Sequence, residues 1–164
     1  MVSGFRVARD RNNLYVQASG LANMKNAPIL DALFQAEAHS DLQMICVDLS
    51  QCTGMDSTFM GLLVGTSAVM KADARRLVVV NPSDLCAKLL DMLGVSEVLP
   101  VLPRCQSPEV AFVDLGEGCV AVGAMQRMEV IRRAHHALAG MNEANRAKFA
   151  AFIAALEADL AKLQ

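Results

Sequence analysis

Asp56, Ser57 and Thr58 are the residues of this 164-residue chain whose types and spacing best suit oxygen and phosphate chemistry. They follow the apolar positions Ile45, Val47 and Leu49, among which only Asp48 is charged, and the polar stretch from Ser50 to Gly54. The pattern predicts a short buried strand, a turn and then a helix. Asp56 is placed to cap that helix by accepting its free first-turn amides, leaving Ser57 and Thr58 at the first two helical positions. A hydroxyl is thereby set on a helix N-terminus at the carboxyl end of a strand, where open α/β sheets form sites and where the helix dipole favours a phosphate. The same three residues also serve as an ordinary cap, and Thr58 reads as cap or packing rather than as a second acceptor.

Other chemistry finds less support. The chain has no GxxxxGK loop, HExxH or GxSxG, and no Cys-His pairing with a family signature. A nucleophilic Ser57 needs a base, and His39, His135 and His136 all fall on other predicted elements. His135-His136 lacks cysteine or carboxylate neighbours at ligand spacing and reads as a partly buried helix position. No cofactor or metal is called for. The five cysteines form no CxxC and read as reduced thiols. Net charge is −2 with scattered basic residues, so neither nucleic acid nor an anionic membrane is favoured. No apolar run of about 18 residues argues for membrane insertion, and a cytoplasmic protein is expected.

The elements around the triplet follow from periodicity. Phe5 and Val7, then Leu14, Val16 and Ala18, alternate on either side of Asp10 to Asn13 and predict a hairpin. Ile29, Leu30, Leu33, Phe34 and Ala38 predict a surface helix with Pro28 in its first turn. In the helix after Asp56, Gly61, Gly65 and Ala68 make a narrow face. Interior glycines cost roughly 1 kcal/mol each, so the backbone there is expected to approach a neighbour, read as the sheet. Leu77 to Val80 is a strand buried on both faces, Ser83 caps a helix that Gly94 stops, and Val98 to Leu102 is a last strand. Ser107-Pro108 is read as starting a short helix through Val113. With 54% hydrophobic residues, the expectation is an α/β mixed sheet of about five strands carrying packed helices. A C-terminal helical hairpin completes it. The predicted units are 1–113, a linker over 114–123, and the hairpin over 124–164. Asn142 caps the second hairpin helix, whose Phe149, Ile153, Leu156, Leu160 and Leu163 form a seam for docking on the domain or for a homodimer.

The segment VDLSQCTGMDSTFMGLL, Val47 to Leu63, resembles the signature of STAS domains, most closely those of the anti-anti-sigma factors and related bacterial regulators. In these an Asp-Leu-Ser triplet ends a strand, here Asp48-Leu49-Ser50. A hydrophobic residue, here Met55, then precedes an Asp-Ser-Thr type start of a helix. The order of elements from Phe5 to Leu102 agrees. Many relatives carry glycine after the hydroxyl pair, where this chain has Phe59, expected to be exposed beside the switch.

The resemblance implies that Ser57 is phosphorylated by an anti-sigma factor/serine kinase of the histidine-kinase-like ATPase fold and dephosphorylated by a PP2C-type phosphatase. Asp48, Ser50, Met55, Asp56, Thr58, Phe59 and Met60 would form the switch loop and partner surface of a non-enzymatic regulator. A phosphoryl group adds about 1.5 to 2 negative charges, tolerable at the helix terminus but repelled beside Asp56 within an interface. Rival readings are a non-switching STAS scaffold or accessory subunit of a lipid or anion transport or stress-sensing complex, and a small nucleotide-binding protein.

Overall fold

The computed structural model describes residues 2–37, 40–116 and 122–164. Ala38, His39, Cys119 and the middle of the predicted linker lie outside these described residues. The elements run β1 (Gly4–Asp10), β2 (Asn13–Ala22), α1 (Ala27–Ala36), β3 (Met44–Met55), α2 (Ser57–Ala72), β4 (Arg76–Val80), α3 (Asp84–Met92), β5 (Val101–Leu102), β6 (Val113–Asp114), α4 (Ala124–Ala139) and α5 (Glu143–Lys162). They build one mixed six-stranded sheet of order β5-β4-β3-β2-β1-β6. The β1–β2 hairpin is antiparallel, β2, β3, β4 and β5 pair in parallel, and β6 closes the other edge antiparallel to β1.

Strand alternation divides β3 between two environments. Ile45, Val47 and Leu49 point into the main core with Leu30, Phe59, Leu63, Leu77 and Val79. Cys46 joins Val78 and Val80 in a small separate cluster on the opposite face, flanked by Tyr15 and Met44. Among the described residues Cys46, Cys52, Cys86 and Cys105 are free thiols.

Caps and stops sit where the residue types put them. Asp56 accepts from the Phe59 amide, Ser83 from Cys86 and Asn142 from Asn145. Gly94, at φ 77°, adopts the left-handed turn that ends α3.

The structure corrects four expectations about the elements. Ser50 to Gly54 is not a turn, because β2 is long enough to pair with β3 out to Met55, taking up two register shifts on the way. The last strand of the parallel set shrinks to Val101–Leu102, since a short 3-10 turn occupies Val95–Glu97. No helix starts at Ser107-Pro108; the chain runs irregularly and reaches the edge of β1, where it forms β6. The glycine face of α2 lies against α4 instead of the sheet, because the large side chains Phe59 and Leu63 fill the sheet side.

A Cβ placed on Gly61 would stand 2.2 Å from the carbonyl oxygen of Ala134, so the two helices meet there backbone to backbone. Sandwiched between sheet and α4, α2 is buried from Thr58 through Val64. An Arg133–Asp31 ion pair at 2.7 Å ties α4 to α1, and the buried Asn145 side chain donates to the Leu93 carbonyl at 2.9 Å, tying α5 to the end of α3.

The α5 seam is consumed within the chain. Phe149 and Ile153 join the main core, while Leu156 and Leu160 pack with Ile131 of α4. Only Leu163 of the predicted seam is well exposed, the other four residues packing within the chain. No described helix is long and apolar enough to cross a membrane.

Candidate functional site

Asp56 does more than cap α2. Its Oδ1 accepts from the Phe59 amide at 3.0 Å, its Oδ2 accepts from the Met24 amide at 2.8 Å, and its own amide donates to the Ala22 carbonyl at 3.1 Å. One carboxylate therefore fixes the start of α2 and the β2–α1 corner together. Ser57 is half-buried at the first position of α2.

The Ser57 hydroxyl has a partner that its neighbourhood in the sequence does not supply. Its Oγ lies 2.8 Å from Nε2 of His135, 78 residues later on α4. The other ring nitrogen, Nδ1, lies 2.7 Å from the Ile131 carbonyl oxygen. A carbonyl only accepts, so Nδ1 carries the hydrogen, Nε2 presents a lone pair, and Ser57 donates to it. His135 is 3% exposed and packs against the rings of Phe149 and Phe152, with centroids 5.2 Å and 4.6 Å away.

Burial holds the imidazole pKa below its ordinary value, opposed in part by the Ile131 hydrogen bond and the Asp56 charge. Neutral imidazole is thus the resting form. The pair has the geometry of a hydroxyl and a base, but accepting the serine proton would create a buried cation.

The residues predicted around Ser57 separate into three groups. Asp56 and Met55 stand beside it, and with Leu21, Met24 and Lys25 they line a shallow, largely apolar hollow at the strand ends. Leu21 and Met24 are 50% and 45% exposed, which makes this the open surface next to the serine.

Thr58, Phe59 and Met60 are corrected: all three are buried and offer nothing to a partner. Phe59 is fully enclosed and stacks on Phe5, ring centroids 5.9 Å apart, because position three of α2 faces the sheet. Asp48 and Ser50 form the third group. Asp48 accepts from the Ser50 amide at 2.8 Å and from the Asn81 side chain at 3.3 Å. Asn81 in turn brackets the backbone of Cys105. That network joins β3 to the end of β4 and the following loop on the sheet face away from α2, where Asp48 lines a separate cavity with Tyr15, Gln17, Cys46 and Arg76.

His135 is the site residue that sequence reasoning missed. A signal existed: it occupies the apolar stripe of α4 between Ile131 and Leu138, while α2 carried a glycine strip in need of a close neighbour.

The fold has relatives. Residues 5–103 match the family described as Mlab, STAS domain. The chain belongs to the STAS domain family. Over 102 residues it is 29% identical to the anti-sigma-B factor antagonist of Bacillus subtilis (strain 168), spanning 61% of this chain and 91% of that protein.

Among solved structures it is similar to the anti-sigma factor antagonist SpoIIAA in its unphosphorylated form, with a TM-score of 0.54 and 19% identity over 63% of this chain and 90% of that one. The Bacillus cell fate determinant SpoIIAA in its phosphorylated form gives 0.52 and 18% over 65% and 93%. All of these likenesses cover about three fifths of the chain.

Proposed function

We propose that this protein is a non-enzymatic regulator of the anti-sigma factor antagonist type, cytoplasmic, whose binding to a partner is set by phosphorylation of Ser57. The observation that carries the reading is the placement of half-buried Ser57 at the first turn of α2, directly after the Asp56 cap. Backbone amides and the helix dipole there tolerate a dianion, so modification leaves the fold standing while changing the surface charge.

The likeness to an anti-sigma-B factor antagonist and to a SpoIIAA structure described as phosphorylated supports the same reading. The partner surface is Leu21, Met24 and Met55 beside Asp56, an adaptable apolar patch at the rim of a charged switch. A phosphoserine beside it repels acidic groups and is costly to desolvate, so the partner is released. The partner is an anti-sigma factor that is also a serine kinase of the histidine-kinase-like ATPase fold, and a PP2C-type phosphatase restores the hydroxyl.

The test is phosphoryl transfer from labelled ATP, using the ATPase-fold serine kinases of the same genome. One kinase should label the wild-type chain and leave Ser57→Ala unlabelled, and Ser57→Asp should lose its affinity for that kinase. Absence of label with every such kinase would overturn the switch. The second reading, a static accessory subunit, is favoured by one observation: the Ser57 hydroxyl is already engaged by His135 within the chain. It predicts equal partner affinity for wild type and Ser57→Asp.

A further inference from the structure

We propose that the α4–α5 hairpin is a removable cover over the phosphoacceptor, so that Ser57 is phosphorylated only with α4 lifted from α2, and the phosphoryl group then keeps the hairpin from closing. The proposal rests on the reading of Ser57 as the phosphoacceptor. Its first support is spatial. At 2.8 Å the Ser57 oxygen and the His135 nitrogen are in direct hydrogen-bond contact, and no phosphorus atom with its oxygens fits between them. The crossing has no slack to share either, since Gly61 and the Ala134 backbone are already in direct contact there.

The second support is the direction of the hydrogen bond. With the Ile131 carbonyl holding the hydrogen on Nδ1, Nε2 needs a donor. Ser57 has one proton to give, whereas a phosphoserine dianion has none and turns acceptor oxygens toward a lone pair. A proton added to His135 would restore the match, but that imidazolium would sit 3% exposed between two phenyl rings.

The step itself is ordinary phosphoryl transfer. Ser57 Oγ forms a bond to the terminal phosphorus of a nucleoside triphosphate carried by the kinase, the bond from that phosphorus to its bridging oxygen breaks, and nucleoside diphosphate leaves. The serine proton passes to the kinase or to water, since His135 has moved away with α4. The occupant of the α2 face is therefore this chain's own hairpin, which any partner using that face must displace.

A disulfide staple measures the closure directly. An ideal Cβ on Gly65 would stand 3.6 Å from the Ala137 Cβ, within the roughly 3.5–4.5 Å span of a disulfide. The full-length chain carrying Gly65→Cys and Ala137→Cys, with Cys105→Ser and Cys119→Ser to prevent mispairing, is equilibrated in glutathione redox buffers. It is prepared with Ser57, with phosphoserine placed at 57 during translation, and with phosphoserine at the exposed Ser107 as control.

Phosphoserine at 57 should lower the staple's closing constant at least tenfold, and the Ser107 control should match the unmodified chain. Hydrogen exchange supplies the second reading: amides of 124–139 should exchange at least tenfold faster with phosphoserine at 57, while those of β3 and β4 stay protected. A closing constant within twofold of the unmodified chain, or unchanged exchange in α4, overturns the cover. Because the phosphoserine is installed without a kinase, the two readings fail separately. If the hairpin opens but the native protein carries no phosphate at Ser57 by mass spectrometry, the functional reading fails. Phosphate found at Ser57 together with a closed staple sinks the cover instead.

Discussion

One side chain belongs to the site and another to the fold beneath it, and each responds to a different measurement. His135 is neutral in the folded protein because burial holds its pKa below the ordinary 6.5. In the unfolded chain it titrates normally, so below about pH 6.5 the unfolded state binds the extra proton and gains on the folded one. The stability tied to a neutral His135 is therefore present above pH 6.5 and is lost as the pH falls through that value, by at most about 1.4 kcal/mol per unit.

Urea midpoints of the wild type should drop between pH 7.5 and pH 5.5. His135→Gln, which can still accept from Ser57, should show a distinctly smaller drop. Phe59, fully enclosed against Phe5, belongs to the fold instead of the partner surface. Phe59→Ala should cost about 3–5 kcal/mol in chemical denaturation. A change below 1 kcal/mol would return this residue to the surface.

At the scale of elements, the crossing of α2 and α4 depends on the absence of one methyl group. Gly61→Ala puts a Cβ against the Ala134 backbone, next in the chain to the His135 that Ser57 contacts. In an isolated helix the change would favour folding by about 1 kcal/mol. Here the overlap should win, with a net loss of about 1–3 kcal/mol. Limited proteolysis should cut within 122–142 several-fold faster than in the wild type, while the sheet stays intact. Equal cleavage rates would mean that α4 rides over the methyl without displacement.

Across the whole molecule, what was legible in the sequence was local. Asp56, Ser83, Asn142 and Gly94 mark helix ends through bonds made within three or four residues, and the structure has them there. The parallel strands were legible because Leu77 to Val80 and the Ile45, Val47 and Leu49 set are too apolar for a surface. Direction was not legible: spacing alone does not say that Phe59 turns inward, or that the Gly61 strip faces a helix joined 50 residues further on.

Nor did Ser107-Pro108 betray that the chain would run on to the β1 edge, since a two-residue pairing such as Val113–Asp114 leaves no periodic signal. Removing the hairpin by ending the chain after Gly116 should uncover the apolar side of α2, including Leu62 and the Gly61–Gly65 strip. Light scattering should then show association that the full-length protein lacks. A monodisperse monomer would mean that α2 tolerates water on that side.

The separation of 78 positions from Ser57 to His135 also has a consequence in time. Ribosomes add about 5–20 residues per second, so on the nascent chain the serine stands bare for roughly 4 to 16 s before its histidine has been made. A kinase waiting at the ribosome would meet the hydroxyl with no helix to lift, and would decide the state of each new molecule before its last helix had formed.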